Sequence, residues 1–125
     1  MIQPQSIVKI ADNSGAKIGR VFKVVGSSKK RYAQIGELVV LSVQKAEPRK
    51  EVKKKAVLTA LVVRQKAPLR RKDGSYIRFD ENAVIIVDKK KGELVPRANR
   101  IFGPIPREIA EAGHSAIVSM APEVI

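Results

Sequence analysis

An all-β fold is expected from three features of this 125-residue sequence. Its apolar residues fall in short, β-branched runs, turn-forming residues separate those runs at close intervals, and a single stretch carries helix signals. Such a pattern fits a sandwich or a small barrel. The barrel is preferred, because closure removes the unpaired strand edges that invite aggregation. The chain is long enough to bury a core without disulfides. No repeat and no flexible linker divides it, so one domain spanning residues 1–125 is expected.

In chain order, the first strand is predicted over residues 7–11. It runs into "ADNSGAKIGR", which offers either a phosphate-cradling loop or a turn between strands. A Walker loop needs G-x-x-x-x-G-K-[ST], yet Gly19 is followed by Arg20 and Val21. Asp12, Asn13, Ser14 and Gly15 all favour turns, so a strand connector is the reading taken. Strands over residues 17–25 and 37–45 flank the basic loop "GSSKKRY" and the turn "AQIGE". A further strand is expected over residues 56–66. Residues 65–79 then form a basic hairpin turning on Asp73-Gly74, a pair suited to the positive φ values of a type I′ turn. Its return strand covers residues 75–79. A strand over residues 83–88 follows, then the turn "KKKGE". "GPIPREIAEAGH" is the helical stretch, with prolines near its start and Gly113 as its C-terminal cap. A last strand is predicted over residues 116–120.

Charge narrows the function. The chain carries 25 Lys and Arg against 12 Asp and Glu, for a net charge of +13. A domain this basic repels itself unless a polyanion neutralises it. Eleven of the basic residues lie between Gln44 and Lys72, opposed there only by Glu47 and Glu51. Others stand at Lys29, Lys30 and Arg31, in the "KKKGE" turn, and at Arg97, Arg100 and Arg107. On loops and hairpin tips such side chains can follow a phosphate backbone, each contact releasing condensed counterions. The alternative is a solvated basic face serving solubility. The candidate RNA contacts are Asn13, Ser14, Lys29, Lys30, Arg31, Arg49, Lys53, Lys54, Lys55, Arg64, Lys66, Arg70, Arg71, Lys72, Arg78, Arg97 and Arg107.

Other classes fare worse. There is no cysteine and His114 is the only histidine, so neither a thiolate metal site nor a histidine cluster can be built, and no cofactor is expected. Asp80 with Glu81, and Glu108 with Glu111, read as charge partners of neighbouring Lys and Arg rather than as acid–base pairs, and no catalytic motif is present. The start "MIQPQSIVKI" lacks the layout of a signal peptide, and the longest apolar run, "AVIIV", is too short for a bilayer. The basic residues lie among strands rather than on an amphipathic helix, which argues against a membrane partner and for a cytoplasmic protein. Of the five aromatic residues, Tyr32 and Tyr76 have basic neighbours, while Phe22, Phe79 and Phe102 have apolar ones. All five are expected in the core, since large rings bury readily. That expectation favours recognition of folded RNA by shape and phosphate over a stacking platform for single strands.

Six segments in order, "MIQPQSIVKIADNSGAK", "RYAQIGELVVLSVQKAEPR", "VKKKAVLTALVVRQK", "RRKDGSYIRFDENAVIIV", "RIFGPIPREI" and "IVSMAPEVI", resemble the family of large-subunit ribosomal protein fourteen, bacterial type, over nearly the whole chain. The resemblance implies a closed five-stranded β-barrel with a projecting β-ribbon and short C-terminal helices. It implies a structural, non-catalytic protein of the cytoplasmic ribosome. Its partners would be large-subunit ribosomal RNA, neighbouring ribosomal proteins, and small-subunit ribosomal RNA across the subunit interface. It also implies a docking surface for a ribosome-silencing factor that includes the positions of Asn99 and Arg100. The chain departs from the family near that surface, with His114 where an aromatic is common and Ala116 where Lys is common.

Overall fold

A computed structural model of the protein describes residues 2–26, 31–49, 54–90 and 93–125. In chain order its elements are β1 (Ile7–Ile10), β2 (Ala16–Val24), β3 (Leu38–Ala46), β4 (Val57–Arg64), β5 (Leu69–Arg70), β6 (Tyr76–Ile77), β7 (Ala83–Lys90), β8 (Glu93–Pro96), α1 (Glu108–Glu111) and α2 (Ser115–Val118). β1, β2, β3, β4 and β7 pair antiparallel in that order. β1 then pairs parallel with β7, Lys9 opposite Ala83 and Ile10 opposite Val84, and the sheet closes into a five-stranded barrel. The far half of β7 leaves the barrel as a ribbon with β8, Val87 opposite Pro96 and Lys90 opposite Glu93. Register shifts between β2 and β3, at Ala16/Ile18, Ile18/Gly19 and Val21/Lys23, supply the bends that so small a barrel needs.

Alternation builds the interior. Val8 and Ile10 of β1, Val21 of β2, and Val39, Leu41 and Val43 of β3 point inward to meet Ala60, Val62, Val84 and Ile86. β4 and β7 depart from this rule. "ALVVR" and "AVIIV" are buried at every position, because the strands are covered on both faces. Their outer face, with Leu61, Val63, Ile85 and Val87, carries a second core made by Ile101, Ile105, Ile109 and Ile117 from the C-terminal segment. Each of these fully buried aliphatic side chains stabilises by about 1.5–3 kcal/mol, which is why α1 and α2, one turn each and unstable alone, hold their shape.

Three expectations are corrected. Residues 116–120, predicted as a strand, contain most of α2 and the turn after it: Val118 N–H donates to His114 O at 3.2 Å and Met120 N–H to Ile117 O at 3.1 Å. A short apolar run such as "AIV" satisfies either period, and the single buried anchor Ile117 selects the helix. The hairpin is present, with Leu69 opposite Ile77 and Arg70 opposite Tyr76, but its turn is not type I′. Positive φ falls on Gly74 alone, at 89°, while Gly74 N–H donates to Arg71 O and Arg71 N–H to Ser75 O. This is the three-residue loop in which a type I turn is followed by a left-handed glycine.

Nor do the aromatic rings fill the core, as expected of all five. Phe22, Tyr32, Tyr76 and Phe102 are 46%, 47%, 67% and 52% exposed, and Phe79 is half-buried. Five strands enclose a bore that Val, Ile, Leu and Ala already fill, and the rings are left outside.

Candidate nucleic-acid interface

The "DNSG" connector is a structural turn held by its own carboxylate. Asp12 is buried, and its Oδ1 accepts from Ser14 N–H at 3.2 Å and Ser14 Oγ–H at 2.6 Å, while Oδ2 accepts at 2.9 Å from Ile86 N–H on the neighbouring strand β7. Burial pushes the Asp12 carboxyl above its ordinary value, and the three donors hold back part of that rise. Ser14, expected to face RNA, is buried with its hydroxyl spent on Asp12. Asn13 sits at the surface beside it. Its Nδ2 donates to Asn99 Oδ1 at 2.8 Å, Asn99 N–H donates to Asn13 Oδ1 at 3.3 Å, and Asn13 N–H donates to Arg100 O at 3.2 Å. The turn and the Asn99–Arg100 corner therefore form one surface, with the Arg100 side chain exposed.

Arg64 does not face solvent either. At the end of β4, at 4% exposure, its Nη1 donates to the carbonyls of Phe102 at 2.9 Å and Pro104 at 3.1 Å, and Nη2 to Glu81 at 3.2 Å. Burial lowers its pKa, with the Glu81 charge opposing. β4 is a central strand covered on both faces, so its terminal guanidinium meets protein carbonyls before it can meet a phosphate. Two more of the expected contacts are engaged. Arg71 lies half-buried with Nε 2.7 Å from Glu108 Oε1, tying the hairpin to α1. Arg97 Nε donates to Asp88 Oδ2 at 2.9 Å across the ribbon.

The remaining described candidates are exposed. Arg49, Lys54 and Lys55 lie in the loop between β3 and β4, and Arg31 in the loop before β3. Lys66, Arg70, Lys72 and Arg78 lie along the hairpin and its base, and Arg107 just before α1. Arg107 is close enough to help hold the Asp73 carboxyl below its ordinary value, an effect led by the hydrogen bonds from Ser75. Lys29, Lys30 and Lys53 lie outside the described residues.

A second basic face escaped the sequence reading. The outer surface of the barrel places Lys9 beside Ile18 and Ile18 beside Lys45, and Ile7 beside Arg20, across adjacent strands. Lys17, Arg20, Phe22 and Lys23 of β2 are exposed there as well. The charged residues of "KIGRVFK" in β2 are a legible signal for an outward basic surface, blurred by the bulges that break its strict alternation.

Among the described residues no helix is long and apolar enough to cross a membrane. Compared with known families, the chain matches the model of Ribosomal protein L14p/L23e over residues 1–125.

Proposed function

The chain belongs to the ribosomal protein L14p/L23e family, and on that premise we propose that it grips large-subunit ribosomal RNA through the exposed cations of the β3–β4 loop and the β5–β6 hairpin. As a member of that family it is a structural, non-enzymatic constituent of the large subunit of the cytoplasmic ribosome, binding ribosomal RNA and other large-subunit proteins. The observation that carries the finer reading is the division of the arginines. Arg64 and Arg71 are spent on internal carbonyls and a carboxylate and Arg97 is exposed but paired with Asp88, while Arg49, Lys54, Lys55, Arg70, Lys72 and Arg78 are exposed with no ion pair among the described residues. A basic face kept for solubility would hold equally well with those cations placed anywhere on the surface. They cluster on the β3–β4 loop and along the hairpin, where side chains without an internal ion pair can follow a phosphate backbone.

Each phosphate contact contributes about 0.7–0.9 to the slope of log affinity against log salt. Lys54→Ala with Lys55→Ala, and Arg70→Ala with Lys72→Ala, are each expected to reduce the magnitude of that slope on a large-subunit RNA fragment by about 1.4–1.8. Melting temperatures should hardly move, since truncation of exposed side chains costs less than about 0.5 kcal/mol. Unchanged slopes in both folded variants would return the cations to a solvated face.

The reading extends to the face that meets the small subunit and its ribosomal RNA, and to a silencing factor docking there. Asn99 and Arg100 share a surface with the Asn13 turn, and the exposed Arg100 side chain is available to a partner. Arg100→Glu is expected to impair subunit joining or silencing-factor binding while incorporation into the large subunit, read on sucrose gradients, persists. Loss of incorporation would make Arg100 an anchor to large-subunit RNA instead.

A further inference from the structure

A groove of about 680 Å³ runs along β1 on the outside of the barrel, lined among others by the apolar Ile7, Ile18 and Phe102. Its rim is basic. Lys9, Lys17, Lys45 and Lys66 line it against Glu47 and Glu81, and Glu81 is already shared by Lys9 at 3.5 Å and Arg64 at 3.2 Å. Lys17, Lys45 and Lys66 enter no ion pair among the described residues. Phe102 is half in water, yet its backbone is clamped on both sides, its N–H donating to Ala11 O at 2.6 Å and its carbonyl accepting from Arg64. A ring held outward on a fixed backbone costs a ligand little ordering. Asn82 also lines the groove, with Oδ1 fixed by Lys66 N–H at 2.9 Å and its amide N–H₂ left to donate.

Resting on the RNA-binding reading above, we propose that this groove receives an unpaired nucleotide of the ribosomal RNA, its base lying on Phe102 and the apolar lining and its phosphates between Lys17 and Lys45. The chemistry favours this occupant. An aromatic face beside free ammonium groups matches a molecule that is planar and apolar at one end and anionic at the other. An apolar peptide would leave the lysines unpaired, and a purely acidic one would leave the ring uncovered. The volume is within the range of small-ligand clefts, about 300–1,000 Å³.

The probes are an RNA tetra-adenylate and an abasic chain of the same length, titrated into the ¹⁵N-labelled full chain. Amide shifts from the tetra-adenylate should concentrate on Gly15, Lys17, Ile18 and Lys45, and the abasic chain should bind about tenfold more weakly, the loss of roughly one stacked base. Phe102→Ala should remove that difference, whereas Lys17→Glu with Lys45→Glu should weaken both probes. Equal binding of the two probes by the unaltered protein, or shifts confined to the hairpin tip, overturns the groove site. If the salt slope on the large-subunit fragment still responds to the loop and hairpin variants, the wider RNA reading survives that failure. In assembled subunits, p-benzoylphenylalanine at position 102 should photocrosslink to ribosomal RNA. A crosslink to a protein segment, or none at all, overturns the proposal.

Discussion

Arg64→Ala should lower the unfolding free energy by about 3–4 kcal/mol, mainly because the Phe102 and Pro104 carbonyls lose a charged donor at about 1–3 kcal/mol each. Little of the loss comes from Glu81, whose side chain is 39% exposed and retains Lys9. The consequence reaches beyond one hydrogen-bond set. Arg64 fastens the segment from Phe102 to Pro104, and Ile101 and Ile105 on either side of it belong to the outer core. Gly103 is the other half of the same fastening. Its φ is +85°, and a Cβ there would stand 2.3 Å from Arg64 Nη1. Gly103→Ala is therefore destabilising in the natural background and less so once Arg64 is gone, because the clash leaves with the guanidinium and only the backbone strain remains. Urea unfolding of the two single variants and the double variant measures this coupling. A loss below about 1 kcal/mol for Arg64→Ala, accompanied by a weaker salt dependence of RNA binding, would restore Arg64 to the role its sequence context suggested.

Asp12→Ala should cost about 2–4 kcal/mol, since Ile86 N–H and the Ser14 groups lose their acceptor inside the barrel end. Asp12→Asn separates geometry from charge. The amide keeps one acceptor oxygen but sets an N–H₂ against donors on the other side, so a smaller loss remains. It also changes the pH dependence. With its pKa raised in the folded state above the ordinary 3.8, Asp12 binds its proton more tightly folded than unfolded. The stability this confers is fully present below pH 3.8 and is lost as pH rises through the folded value. Over that window the natural protein should lose stability relative to Asp12→Asn. A gain by the natural protein over the same window would show that the three donors outweigh burial and hold Asp12 charged, and a constant difference would show that burial and donors cancel.

The β1–β4 and β7 strands and the hairpin were legible because their causes are local. β-branched runs set the strands, and "KDGS" made a hairpin whatever the type of its turn. The family was legible too, since six ordered segments spread over the chain carry it. Arg31, Arg49, Lys54 and Lys55 stayed exposed because no carboxylate among the described residues pairs with them.

Residues whose placement depends on distant chain were not legible. Arg64 looked like its basic neighbours, and became a buried latch because residues 102–104 return to the end of β4. Ser14 looked available until Asp12, turned inward toward Ile86, took its hydroxyl. The run at residues 116–120 became a helix because one isoleucine had to reach the outer core. Composition and local order thus fixed how much positive charge the chain carries, where its strands run and where it turns. Which cations stay exposed, and that the rings stand outside, depended on closure of the barrel, because a five-stranded bore has room for aliphatic side chains and none left for aromatics.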